Sequence, residues 1–100
     1  MSRPTKQKPI KLLRKRLDDA GVEAHIDALA AGAQAIEVRI KDAAATYSSA
    51  TAGELVDAGR RLRAGEIAAI QIRFFQDDAW WCDTVMRVRD DYRLVRMRQG

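Results

Sequence analysis

A chain of 100 residues with 47% hydrophobic and 32% charged side chains has the composition of a folded globular protein, and it is too short for two independent cores. Its apolar stretches fall far short of the roughly 20 residues that a membrane-spanning helix needs, so we expect no such helix. No apolar run of signal-peptide length follows the first basic residues, and the single Cys82 cannot form an internal disulfide. We therefore expect a cytoplasmic protein.

The formal net charge of +4 is unevenly distributed along the chain. The first 16 residues hold seven cations and no acid, which leaves 11 of the 18 cations against all 14 acids in the remainder. Such a basic segment can bind nucleic acid or another anionic surface, or it can be a solvated arm that aids solubility. The candidate anion-binding arm consists of Lys6, Lys8, Lys11, Arg14, Lys15 and Arg16.

The N-terminal third predicts a flexible arm and then helices. Residues 1–8 are polar and basic without apolar periodicity, so we expect a flexible arm there and a single domain over 9–100. The three- and four-residue spacing of Ile10, Leu13 and Leu17 after Pro9 predicts a helix over 9–20 that ends at Gly21. A second helix is predicted from one further set of residues on a common face, namely Val22, Ile26 and Leu29.

A strand and a well-marked helix follow. Strict alternation of apolar and charged residues from Ala35 to Asp42 predicts a half-buried strand. Thr51 followed three residues later by Glu54 is a capping box, the signature of a helix start. The predicted helix ends at Gly65 after a last turn rich in arginine.

The last third predicts a three-stranded antiparallel meander, because alternating runs from Ala68 onward are separated by acidic pairs. A three-residue loop over 77–79 would place Ile72 opposite Thr84, whereas a two-residue loop would oppose it to Asp83. The hydrophobic pattern favours the longer loop. A two-residue loop at Asp90 and Asp91 is predicted for the second hairpin.

These elements define an α+β fold, with N-terminal helical segments followed by a β-α-β-β-β unit whose antiparallel sheet ends in the meander. The order of elements resembles that of cystatin-like folds, a likeness of topology alone. Fold does not fix function, so the chemistry must be argued from the residues.

The residues offer little support for catalysis or for a cofactor. One His25 and one Cys82 cannot supply a zinc site, and Cys82 is expected on the inward face of its strand as an inert apolar residue. The six glycines are scattered and form no phosphate-binding loop. Paired aspartates in turns are commonly solvated. We expect a protein that is not an enzyme and that holds no metal or cofactor.

The predicted registers place aromatic and arginine residues on the outer face of the meander. This candidate interaction surface consists of Arg73, Phe75, Trp81, Arg87, Arg89, Tyr92 and Leu94. Three interpretations are open: the N-terminal helices cover the face in a three-layer domain, a protein partner or second copy docks on it, or its aromatic rings stack on unpaired bases. We expect a small non-catalytic binding or adaptor protein, with nucleic-acid binding as the alternative.

Overall fold

The computed structural model describes residues 12–40 and 48–99 as two helices and one six-stranded antiparallel sheet. In chain order the elements are β1 (Leu12–Leu17), α1 (Asp19–Gly32), β2 (Gln34–Ile40), β3 (Ser48–Ser49), α2 (Ala52–Arg63), β4 (Ala69–Gln76), β5 (Ala79–Val88) and β6 (Asp91–Gln99). The strands lie side by side in the order β1-β6-β5-β4-β2-β3. The α+β class and the antiparallel meander of β4, β5 and β6 are confirmed.

Both helices pack on the same face of the sheet. Buried apolar residues of α1 and α2 form one cluster with the inward side chains of the strands, among them Ile70, Ile72 and Phe74, which are fully buried. The helices approach each other closely at Gly59, where an added Cβ would lie 3.0 Å from Cγ1 of Ile26. No helix of the described residues lies over the opposite face, so for this part of the chain the interpretation in which helices cover both faces is wrong.

The predicted helix over 9–20 is wrong in the part that the structure describes. Residues 12–17 form the edge strand β1, which pairs antiparallel with β6. The spacing of Leu13 and Leu17 fits a helix, but four residues also return to the same face of a strand. Asp18 then caps α1 by accepting a hydrogen bond from the backbone N–H of Gly21, 2.7 Å away. Gly21 therefore lies inside a helix and does not end one.

The elements with strong local signals form as predicted. Thr51 and Glu54 make both hydrogen bonds of the capping box at the start of α2. Gly65 follows the end of α2 with a φ of +79°, a left-handed conformation that suits glycine. In β2, Ile36 is buried and Glu37 is directed to the other face, as the alternation predicts.

The register of the first hairpin is one residue away from the prediction. Gln76 pairs with Ala79, so the loop has two residues, Asp77 and Asp78, with φ values of +54° and +59°. Two successive positive φ angles are typical of the type I′ turn, whose twist matches that of the flanking strands. The register that the hydrophobic pattern disfavoured, with Ile72 opposite Asp83, is the one observed.

The second hairpin also has a two-residue loop, one residue earlier than predicted. Val88 pairs with Asp91, so Arg89 and Asp90 form the loop, and Arg89 has a φ of +59°. The pairing of β6 with β5 is thereby displaced by an even number of residues, which leaves their shared faces unchanged. The one-residue displacement in the first hairpin therefore turns β5 and β6 over together relative to β4.

Candidate functional site

The surface predicted from the sequence is divided between the two faces of the sheet. Arg73 and Phe75 lie on the face away from the helices, as predicted. Four others, Trp81, Arg87, Tyr92 and Leu94, lie on the helix-covered face, because β5 and β6 are turned over. Arg89 lies in the second hairpin loop. The seven residues therefore do not form one surface, and that prediction is wrong.

The residues moved to the helix-covered face have structural contacts there. Leu94 belongs to the core, and the Tyr92 hydroxyl donates to Oδ1 of Asp19 at 2.8 Å. Burial, followed by this hydrogen bond to a carboxylate, raises the pKa of Tyr92 above its ordinary value. Arg87 donates to the carbonyl oxygen of Leu62 at 3.0 Å, at the end of α2 where the helix dipole favours a cation.

A fully buried carboxylate lies between the sheet and α1. Asp83 accepts two hydrogen bonds from Arg96, at 2.7 and 2.8 Å, and one from Nε2 of His25 at 2.8 Å. Burial alone would raise the pKa of Asp83, but the hydrogen bonds from Arg96 and His25 outweigh it and hold that pKa below its ordinary value. The Arg96 guanidinium lies over the rings of Phe74 and Trp81, 5.2 and 5.7 Å from their centroids. The Asp83 carboxylate is therefore hydrogen-bonded and charge-compensated within this cluster.

We call the face of the sheet that is turned away from α1 and α2 the open face. Its side chains follow the strand registers, as in the row Arg14, Val95, Thr84, Gln71 and Arg39 that crosses from β1 to β2. Its charged residues are Arg14, Arg16, Glu37, Arg39, Arg73, Asp91 and Arg93. Both acids are ion-paired, Glu37 with Arg73 and Asp91 with Arg16, so the face carries an excess of positive charge.

A basic groove opens at one corner of the sheet, where the edge strand β1 passes the β5–β6 loop. The groove has a volume of about 670 Å³, and its lining is Arg14, Lys15, Arg16, Val88, Arg89, Asp90, Asp91, Tyr92 and Arg93. Among these nine residues are five cations and two acids. Arg16 binds Asp91 at 2.7 Å, whereas Arg14, Lys15, Arg89 and Arg93 have no ion pair with any acid of the described residues.

The predicted arm is therefore located only in part. Arg14, Lys15 and Arg16 lie on β1 and line the basic groove, beside Arg93, which the sequence did not single out. Lys6, Lys8 and Lys11 lie outside the described residues. Sequence reasoning missed Arg93 because only the pairing of β1 with β6 brings Arg16 opposite it.

An aromatic pair lies at the other end of the open face, beside the β4–β5 loop. Phe75 and Trp80 are opposite each other in the register, with ring centroids 5.6 Å apart and planes at 65°. The Arg73 guanidinium lies 5.9 Å from the Trp80 ring centroid. Trp80 is 37% exposed although it is held from two sides.

No arrangement typical of catalysis is found in the described part of the chain. His25 contacts Asp83 on the helix-covered face, whereas Cys82 lies on the opposite face, so the two cannot act as a nucleophilic pair. The predicted inward position of Cys82 is thus wrong, and the cysteine is half-buried on the open face. Residues 12–40 and 48–99 contain no group of three or more metal-binding side chains, and none of their helices is long and apolar enough to cross a membrane.

Comparison of the chain with protein-family models, curated proteins and solved structures gave no significant match. Function must therefore be argued from the chain's own residues.

Proposed function

We propose that this protein is a non-catalytic binding protein whose partner is a nucleic acid, held by its phosphates at the basic groove. The observation that carries the proposal is the convergence of cations from separate parts of the chain. Arg14 and Lys15 come from β1, Arg89 from the second hairpin loop and Arg93 from β6. We also retain the proposal of a cytoplasmic protein, which rests on composition.

The charge balance of the basic groove favours a polyanion. Four of its cations have no ion pair with a described acid, and like charges gathered in this way repel one another unless an anion neutralises them. Arginine suits this role because its planar guanidinium can donate two parallel hydrogen bonds to one phosphate. Charged residues on an edge strand also discourage pairing with another chain, which disfavours a second copy bound at β1.

The proposal is tested by the salt dependence of binding. A fluorescently labelled 20-base-pair duplex is titrated with the protein at several salt concentrations, and the affinity is read from anisotropy. Each phosphate neutralised contributes a slope of about −0.9 to log affinity against log salt. For the double substitution Arg14→Gln and Arg93→Gln, we expect weaker binding and a slope smaller in magnitude by about 2.

A matched control has the same change in net charge at a different place. Arg60 and Arg61 lie on α2, on the helix-covered side, so the double substitution Arg60→Gln and Arg61→Gln should leave affinity and slope unchanged. If the protein binds no duplex and no single strand at low salt, the proposal is wrong. Equal losses in the two double variants would show that net charge matters and the basic groove does not.

A further inference from the structure

The open face carries a partly exposed tryptophan ring, Trp80, which a phosphate-binding site alone does not require. At its end beside the β4–β5 loop, Trp80 packs edge-to-face with the Phe75 ring and lies beside the Arg73 guanidinium, yet more than a third of it is exposed. An exposed indole fixed in this way loses little conformational freedom when another flat group stacks on it.

The middle of the open face is uncharged. Cys82, Thr84 and Met86 of β5 lie there, with Val95 of β6 beside them. Arginines lie on both sides of this floor, Arg14 towards the β1 edge and Arg39 towards the β2 side. An uncharged floor between cationic margins suits a ligand that has uncharged planar groups and a chain of negative charges beside them.

The aromatic end and the basic groove are separated by the length of one strand. Trp80 lies near the start of β5 and Val88, which lines the groove, at its end. At about 3.4 Å per residue the two are about 27 Å apart along the strand. A strand of several nucleotides, within the range of about 4 to 16 that single-strand-binding domains contact, is needed to reach both.

We infer that the ligand is a single-stranded nucleic acid that crosses the open face from the basic groove, with an unpaired base stacked on Trp80. This inference rests on the proposed function and deepens it. A duplex could bind the basic groove through its phosphates, but its bases are stacked on one another and cannot lie on Trp80. An acidic peptide could engage the arginines, but unlike a nucleic acid it does not carry a planar ring at every unit of its chain for the indole to stack on. Of the floor residues, Thr84 already accepts a hydrogen bond from Nε2 of Gln71 at 3.5 Å, and the others offer at most a weakly bonding thiol, so we expect recognition to depend little on base sequence.

The test compares two neighbouring tryptophans that lie on opposite faces. A labelled 20-nucleotide thymidine oligomer and a duplex of equal length are titrated by anisotropy against the wild type, Trp80→Ala and Trp81→Phe. Loss of one stacking platform weakens binding of the single strand by roughly 5- to 150-fold, because stacking on an aromatic ring contributes on that scale. Duplex binding should stay within about twofold, since phosphate contacts dominate it.

Trp81→Phe serves as both control and reporter. Trp81 lies on the helix-covered face and donates to the carbonyl oxygen of Gln76 at 3.0 Å, so its replacement should leave single-strand affinity unchanged. In that variant Trp80 is the one remaining tryptophan, and its fluorescence should be quenched when the thymidine oligomer binds but not when the duplex binds. Trp80→Phe keeps a ring at the position and should retain most of the affinity.

The outcomes separate this inference from the proposed function. If Trp80→Ala binds the single strand as the wild type does, while Arg14→Gln with Arg93→Gln weakens both ligands, the inference is overturned and the proposed function stands. Binding of neither ligand at low salt overturns both. If polyglutamate competes with the oligomer equally well at equal charge, stacking makes no contribution and the inference fails.

Discussion

Asp83 is fully buried in the sheet, and a carboxylate without exposed surface must have partners. Its partners come from two other elements, Arg96 on β6 and His25 on α1. Removing one partner of a buried charge leaves an uncompensated charge, which costs about 3 to 5 kcal/mol. We therefore expect Arg96→Met to lower the free energy of unfolding by about 3 kcal/mol, measured by urea denaturation.

The comparison that isolates the charge is the double substitution Asp83→Leu with Arg96→Met. Replacing both members of a buried ion pair by apolar residues of similar volume is often neutral, so the double variant should recover at least half of the loss. A single variant within about 1 kcal/mol of the wild type would contradict the buried pairing. So would a double variant no more stable than the single one.

Among the elements, the β4–β5 hairpin decides which residues share a face. Asp77 and Asp78 both adopt positive φ angles. The pair Asn-Gly adopts two such angles in succession at a lower energetic cost than the pair Asp-Asp. The double substitution Asp77→Asn and Asp78→Gly should therefore raise the free energy of unfolding by roughly 1 kcal/mol in urea denaturation.

A glycine placed one residue outside that loop provides the contrast. Ala79 is a strand residue paired with Gln76, so Ala79→Gly should lower stability by roughly 0.5 to 1 kcal/mol. If the loop had three residues, as the alternation alone predicts, Ala79 would lie in the loop and its replacement by glycine would cost little. Loss of stability in the Asn-Gly variant would thus count against the observed register.

The elements that could be predicted are those whose sequence signals, a capping box or an alternating run, lie inside the element itself. Thr51 and Glu54 determine the start of α2 through their own hydrogen bonds, and alternation within each run marks the strands of the meander. β1 could not be predicted because its leucine spacing fits both a helix and a strand. What makes it a strand is pairing with β6, about 80 residues later in the chain.

For the candidate site, the sequence predicts some of the residues but not the way in which the fold brings them together. The basic residues Arg14, Lys15 and Arg16 are visible in the sequence, but Arg93 joins them through the β1–β6 pairing. The register of the first hairpin could not be predicted from the hydrophobic pattern. That pattern assumes that an apolar residue is opposite an apolar one, whereas Ile72 is opposite Asp83, whose buried charge is compensated by Arg96. The alternation consequently predicts the wrong face for Trp81, Arg87, Tyr92 and Leu94.

At the scale of the whole molecule, the two-layer arrangement concentrates burial on one face of the sheet, and two titrating groups in that layer should contribute to the dependence of stability on pH. The pKa of Asp83 is held below its ordinary value in the folded state, so its contribution is present above that ordinary pKa and is lost as pH falls through the lower, folded one. We expect the free energy of unfolding to decline in acid below about pH 4. The decline should be shallower in Asp83→Asn, which has no proton to gain.

Tyr92 should produce the opposite limb of the same curve. Burial and the Asp19 carboxylate raise its pKa, so the folded state retains the phenolic proton at a pH where the unfolded chain releases it. Its contribution is therefore complete below the ordinary tyrosine pKa of about 10 and is lost as pH rises through the higher, folded value. Urea denaturation between pH 8 and 11 should show a steeper decline for the wild type than for Tyr92→Phe, which keeps the ring in the core without the titrating hydroxyl. Parallel curves for the two proteins would show that Tyr92 titrates alike in both states and that its bond to Asp19 does not contribute in the fold.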